Sequence, residues 1–235
     1  MIDIERLAEK AAKYDIDISH CAGALAKYAE VLVEYNKKVN LTAITDPEGI
    51  ENRHFIDSLL LAAQPEVAGT LVDVGTGAGF PGVVAKLFKP ELNVTLMEPT
   101  GKRVDFLKYL CEQLGITKGV EFAKERAEEA ARKKWRESFD VATARAVADL
   151  SMLSEYCLPL VKQGGVFIAM KGSDARAEID GAQNAVKKLG GQFEHEKQFS
   201  LPDDSARSLI FYKKISQTSS VYPRNGGKIA KAPIK

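Results

Sequence analysis

From Ile4 to about Ala63, apolar residues recur at three- and four-residue steps. Leu7, Ala11, Tyr14 and Ile18 form one series, and Leu25, Tyr28, Leu32 and Tyr35 a second. That spacing predicts amphipathic helices. A further helix has its start signals at Thr45-Asp46-Pro47, with Asp46 as N-cap and Pro47 at the first helical position. It would carry Ile50, His54, Asp57 and Leu61 down related faces. From Thr70 to about Lys214 the pattern changes to short apolar runs alternating with helical segments. Strands are predicted at 70–74, 93–97, 119–122, 139–143 and 165–170, with two more near 192–199 and 208–212. Runs this short and apolar suit strands buried on both faces, as in a doubly wound parallel sheet. Gly164-Gly165 and Gly190-Gly191 punctuate the later joins. Beyond about Ser216 the periodicity fades. Residues 213–235 hold Lys213, Lys214, Arg224, Lys228, Lys231 and Lys235 and no acid, which predicts a mobile basic tail. The chain therefore divides into an N-terminal helical extension (1–64), an α/β domain (65–214) and a basic C-terminal tail (215–235).

Composition narrows the class without naming a partner. The 235 residues are 45% hydrophobic and 28% charged, enough for a sizeable core. Net charge is +1, from 33 Lys and Arg against 32 Asp and Glu, so any basic footprint must be a local patch. Cys21, Cys111 and Cys157 are far apart and odd in number, which argues against a disulfide framework or a zinc site; no metal is expected. The N-terminus lacks a signal-peptide core, and no run of ~20 apolar residues occurs. A cytoplasmic protein with no membrane partner is expected.

The first predicted strand of the α/β region runs into Asp73-Val74-Gly75-Thr76-Gly77-Ala78-Gly79-Phe80-Pro81-Gly82, and a helix follows with Pro81 near its first position. Glycines let a backbone turn sharply and approach a ligand closely. The helix start adds free N–H groups suited to a carboxylate or phosphate. Two cofactors compete. Gly77 to Gly82 formally matches the dinucleotide fingerprint G-x-G-x-x-G, and Glu98, about twenty residues on, can hold a ribose in either case. The whole segment fits S-adenosylmethionine (SAM) better. Asp73, two residues before Gly75, can face the cationic end of SAM but would lie poorly beside a pyrophosphate. Glu98 can accept hydrogen bonds from both ribose hydroxyls. A tight turn that binds nothing is the bland alternative.

The residues missing from the fourth strand end also speak. It reads Ala142-Thr143-Ala144-Arg145-Ala146-Val147, without the acid or amide, prolines and aromatic usual in enzymes that methylate exocyclic amines. No cysteine stands there to activate a pyrimidine ring. A ring nitrogen such as guanine N7 has its lone pair available and needs no base, so placement and desolvation can suffice. Small-molecule methyltransferases can work the same way. No residue is expected as acid, base or nucleophile. Arg145 is the candidate for positioning a substrate phosphate or guanine edge, against an ordinary strand-end arginine.

Four blocks then resemble one family. They are residues 35–44 (YNKKVNLTAI) continuing to 53–59 (RHFIDSL), Val72 to Gly82, Thr143-Ala144-Arg145-Ala146, and the tail from Tyr222-Pro223-Arg224 through Gly227 to Lys231. Nearly the whole chain resembles the bacterial 16S ribosomal RNA guanine-N7 methyltransferase family (RsmG, also known as glucose-inhibited division protein B). The resemblance implies a class I SAM-dependent Rossmann-like fold with a mostly parallel seven-stranded sheet. It implies N7 methylation of a guanine at roughly position 527 of 16S rRNA within the small ribosomal subunit, a base that must be accessible or flipped for chemistry. By motif position it implies that Gly75 and Phe80 line SAM, that Ala127 and Glu128 flank its adenine, and that Arg145 completes the site; Gly77 and Gly79 belong to the same turn. Taken alone, Glu128 reads as a solvated helix acid beside Glu125 and Glu129. The tail departs from the family at Asn225, Ile229 and Ala232, where arginine and proline are usual.

RNA contacts are expected from Lys37, Lys38, Arg53, His54, Arg145 and the tail residues Arg224 and Lys228, with Phe80, Tyr222 or His54 offering a stacking face. The bland readings are a solvated Lys37-Lys38 face and a His54–Asp57 pair that merely caps the helical unit. A monomer is expected. Other readings of the chain are a SAM-dependent methyltransferase acting on a small molecule or protein, an RNA adaptor without catalysis, and a dinucleotide oxidoreductase.

Overall fold

Along a β-strand successive side chains face opposite sides, so a strand buried on both faces sorts its residues into two cores. The computed structural model, which describes residues 1–145, 148–172 and 175–235, shows that sorting around one seven-stranded sheet. The strands are β1 (Thr70–Val74), β2 (Asn93–Met97), β3 (Val120–Ala123), β4 (Phe139–Arg145), β5 (Val161–Lys171), β6 (Gly191–Ser200) and β7 (Ala206–Lys214), in the order β3-β2-β1-β4-β5-β7-β6. β1 to β5 pair in parallel; β7 runs antiparallel to both β5 and β6. Leu71, Val141, Val166 and Ile168 enter one core, whereas Val72, Ala142, Phe167 and Ala169 enter the other.

The N-terminal helices α1 (Ile4–Ala12) and α2 (Ala22–Asn36) share the first of these cores through Leu7, Ala11, Leu25, Tyr28 and Leu32. α5 (Gly82–Phe88) and α6 (Gly101–Gln113) pack on the same face. The opposite face carries α7 (Ala127–Ala130), α8 (Leu150–Cys157) and α9 (Ala175–Lys188). Asp46 caps its helix as the sequence predicts, its Oδ1 accepting from the Gly49 N–H at 2.6 Å. From there α3 (Pro47–Gly49) passes into a π-helical stretch, Ile50–Ile56, and then α4 (Asp57–Ala62). The wider π turn shifts the faces that a uniform helical period would assign. Inside it Glu51 is fully buried, where Arg6 (2.6 and 2.8 Å), Lys10 (2.9 Å) and the Asp3 N–H (2.9 Å) converge on its carboxylate. Burial alone would raise the Glu51 pKa; those donors bring it down to about 2.

Pro81 lies at the start of α5 as expected, as its N-cap, and Gly82 is the first helical residue. One expectation needs correcting. The C-terminal segment is not a mobile tail. It folds back, forms the short helix α10 (Gly226–Lys231) and buries Ile229 and Ile234. Asn225, one of the departures from the family pattern, is the N-cap of that helix, accepting from the Lys228 N–H at 2.9 Å. Among the described residues no helix is long and apolar enough to cross a membrane.

Candidate cofactor and acceptor site

The sheet order reverses direction beside β1, between β2 and β4, and the carboxyl ends of strands at such a point form a crevice. β1 delivers the glycine turn into it. Gly75, Gly77 and Gly79 all have positive φ, at 71°, 58° and 97°, a conformation L side chains rarely adopt. A Cβ on Gly79 would also stand 2.7 Å from the Tyr28 hydroxyl and 2.8 Å from a Val83 methyl. Asp73 lies fully buried behind the turn. Its Oδ2 accepts from the Thr76 hydroxyl at 2.6 Å and the Gly82 N–H at 2.8 Å, while its Oδ1 has no partner among the described residues. Burial raises its pKa to about 6, against the opposing pull of those two donors and of Arg145. Glu98, just past β2, is also buried; it accepts from the Thr100 N–H at 2.9 Å and from the Gly77 N–H at 3.2 Å.

At Gly75 the turn opens onto a cavity of about 420 Å³ lined by Val74, Gly75, Met97, Pro99, Ala127 and Glu128, among others; Asp73 and Glu98 lie buried behind its wall, Glu98 between the lining residues Met97 and Pro99 in the chain. Glu128 is not the solvated acid its neighbours suggest: it is 7% exposed. The donor set fits SAM. Glu128 on the wall, and behind it the buried Glu98 carboxylate and the unpartnered oxygen of Asp73, suit a cationic ligand that also carries a ribose diol. A pyrophosphate would meet the same three acids as repulsion. Ala127 and Gly75 both line this cavity. Phe80 does not line it; its ring faces the N-terminal helices.

That ring is the middle member of a three-ring stack. It lies 4.8 Å from Tyr28 and 4.3 Å from His54, with interplanar angles of 3° and 11°. Neither Phe80 nor His54 is free to stack on a base, and the expectation that they would is withdrawn. His54 does not pair with Asp57 either. Its Nε2 meets the Thr42 hydroxyl at 3.0 Å and its Nδ1 lies 3.3 Å from an Arg145 Nη. Guanidinium only donates, so Nδ1 accepts and Nε2 carries the proton. Burial and then Arg145 push the His54 pKa down to about 3, so this residue brings no positive charge to RNA at neutral pH.

Arg145 lines a second cavity, of about 400 Å³, together with Arg53, His54, Asp57, Lys171 and Arg207. Asp57 bridges two of the cations, 3.0 Å from Arg145 and 3.4 Å from Arg207. Arg53 is half exposed and pairs with Asp203 at 2.7 Å. Lys171 and Arg207 escape the sequence reading. They come from β5 and β7, and only the antiparallel register, which pairs Lys171 with Ser208, makes them neighbours. Lys37 and Lys38 sit apart, just past the end of α2, with Lys37 held by Glu34 at 2.6 Å. Lys228 is exposed, but Arg224 is folded inward onto buried Glu155. Ala146 and Val147, part of the fourth-strand motif, lie outside the described residues. All three cysteines are free and buried, and the described residues hold no group of side chains arranged to bind a metal.

A mostly parallel seven-stranded sheet, a glycine turn on β1 with a buried acid before it, and a second buried acid after β2 define a class I SAM-dependent methyltransferase. A SAM-dependent O-methyltransferase from Thermotoga maritima shares the fold, with a TM-score of 0.52 and 14% identity over 80% of this chain and 72% of that one. Within the class the chain belongs to the GidB family, rRNA small subunit methyltransferase G, whose model matches residues 22–211. It is 46% identical over 215 residues to the ribosomal RNA small subunit methyltransferase G of Alkaliphilus metalliredigens, covering 90% of each chain. To the protein of that name from Halalkalibacterium halodurans it is 48% identical over 211 residues, covering 88% of each.

Proposed function

We propose that this chain transfers the methyl group of SAM to N7 of a guanine in 16S rRNA, with the small ribosomal subunit as its substrate particle. The observation that carries the reading is the pairing of two unlike cavities at the carboxyl ends of the strands. One is walled by Gly75, Ala127 and Glu128, with the buried carboxylates of Asp73 and Glu98 behind it; the other holds Arg53, Arg145, Lys171 and Arg207. When bound, SAM supplies an electrophilic methyl group. The four cations can grip phosphates beside the target nucleotide, and Arg145 and Arg207 present planar donor forks to a phosphate or a guanine edge. Asp57 is the one acid among the described residues lining this cavity, and two arginines hold it. His54 is neutral and turns its lone pair to Arg145. Neither is set to take a proton, which suits a ring nitrogen whose lone pair is already free and makes placement and water exclusion the working devices. A monomer acting in the cytoplasm completes the proposal.

The test is transfer of a labelled methyl group from SAM to small subunits lacking their N7 methylation, followed by mapping of the label. Label on one 16S guanine at N7 is the expected result. Clear SAM binding with no label on subunits or naked 16S RNA would overturn the acceptor and favour a small-molecule or protein substrate.

A further inference from the structure

The C-terminal segment is fastened with more polar contacts than a surface tail needs. Fully buried Lys214 donates to the Leu158 carbonyl at 2.8 Å and to the Thr218 hydroxyl at 2.5 Å. Arg136 donates to the carbonyls of Thr218 and of Tyr222 (2.9 Å), and Arg132 to that of Pro223 (2.8 Å). The last and strongest tie is Arg224. Its backbone N–H (2.7 Å) and its guanidinium (2.6 to 3.2 Å) all reach the carboxylate of Glu155, which is 0% exposed on α8. A bidentate ion pair with one partner wholly out of water is a rigid fixing point. Basic composition here serves to hold a strap down.

The strap ends on the cofactor cavity. Gly226 and Ala230 of α10 line it together with Gly75, Met97 and Glu128. A Cβ on Gly226 would collide with the Glu128 carboxylate, so the strap also limits where that acid can sit. The sheet order tells which end of the ligand it faces. Gly75 follows β1, Glu98 follows β2, and Ala127 and Glu128 come after β3. Neighbouring strands are ~4.8 Å apart, so a ligand with its amino-acid end at the turn and its ribose at Glu98 lays its base beyond, toward β3.

We infer that the strap is part of the cofactor site: Gly226 and Ala230 form a wall against the adenine end of SAM, and Arg224 acts on Glu155 as a positioning residue that holds this wall in place. The inference rests on the SAM reading of the cavity. It assigns to cofactor binding a segment whose charge suggests RNA.

The experiment is calorimetric titration of the full chain with SAM and with adenosine, together with amide hydrogen exchange over residues 224–231. Wild type is expected to bind both ligands, with slower exchange in 226–231 once SAM is present. Ala230→Trp, at an exposed position that tolerates bulk, should weaken both ligands about tenfold or more. Arg224→Gln should weaken both and abolish the SAM-dependent slowing of exchange, and Arg224→Lys should restore part of each. Unchanged affinity in Ala230→Trp, or exchange in 226–231 indifferent to SAM, overturns the wall. Loss of affinity in Ala230→Trp with none in Arg224→Gln overturns the positioning role. A wild-type chain that binds no SAM would instead sink the cofactor reading itself.

Discussion

On the proposed reading, Asp73 is the buried carboxylate set behind the cofactor's cationic end. A buried acid whose pKa is raised is a stability cost, because the unfolded chain ionises more readily. Apo stability should therefore fall, from this group, as pH rises from its ordinary 3.8 toward about 6. A cationic ligand favours the ionised form, so the linkage for binding has the opposite sense. SAM affinity should be flat above about pH 6 and weaken up to about tenfold per unit below it. Asp73→Asn keeps an oxygen for the Thr76 and Gly82 donors and removes the charge. Its melting temperature should equal or exceed that of wild type while SAM affinity drops about tenfold or more; retained affinity would show that Asp73 does not face the cofactor's cation. Gly75→Arg should fold, at a cost of about 1–2 kcal/mol for a side chain at positive φ, yet lose SAM binding in calorimetry, since Gly75 is an exposed part of the cavity wall.

At the scale of elements, the tie between α1 and the π-helical stretch is a testable joint. Glu51 is wholly buried with Arg6 and Lys10 upon it. Its folded pKa is depressed, so its contribution is complete above the ordinary 4.5 and lost as pH falls toward about 2. Glu51→Ala should cost about 3 kcal/mol in urea unfolding at pH 7, and much less near pH 2. Which elements the sequence reveals follows a physical rule. β1 and β2 are readable to the residue because Gly, Pro and polar residues bound their apolar runs. β7 reads short at both ends because Ala206, Arg207, Lys213 and Lys214 are paired on the ladder without being apolar. The strap escapes altogether. Its anchors are two isolated isoleucines and ion pairs to partners as distant as Glu155, and no local period records them. The glycine turn is legible since its conformation demands glycine. The basic cavity is not, because strand register assembles it.

At the scale of the whole molecule, the proposed function divides the labour between the two cavities, which should then be separable. Arg53→Ala with Arg207→Ala removes two cations from the acceptor side and touches nothing in the cofactor cavity. Subunit binding should weaken, and its dependence on salt should become shallower by roughly two in the log–log slope. SAM affinity should be unchanged by calorimetry. A salt slope equal to wild type would place the RNA elsewhere, with exposed Lys37, Lys38 and Lys228 as the alternative surface. The N-terminal helices and the sheet share one core, so the acceptor side cannot be detached from the catalytic fold without exposing apolar surface.

The unpartnered oxygen of Asp73 reaches beyond the reaction itself. A chain carrying a buried carboxylate whose burial outweighs its two donors is least stable when empty, and on the proposed reading gains stability as cofactor binds. Proteases act on the transiently opened state, so the lifetime of the protein in a cell should lengthen and shorten with the supply of methyl donor. Methionine starvation would then thin out the enzyme as well as its cofactor.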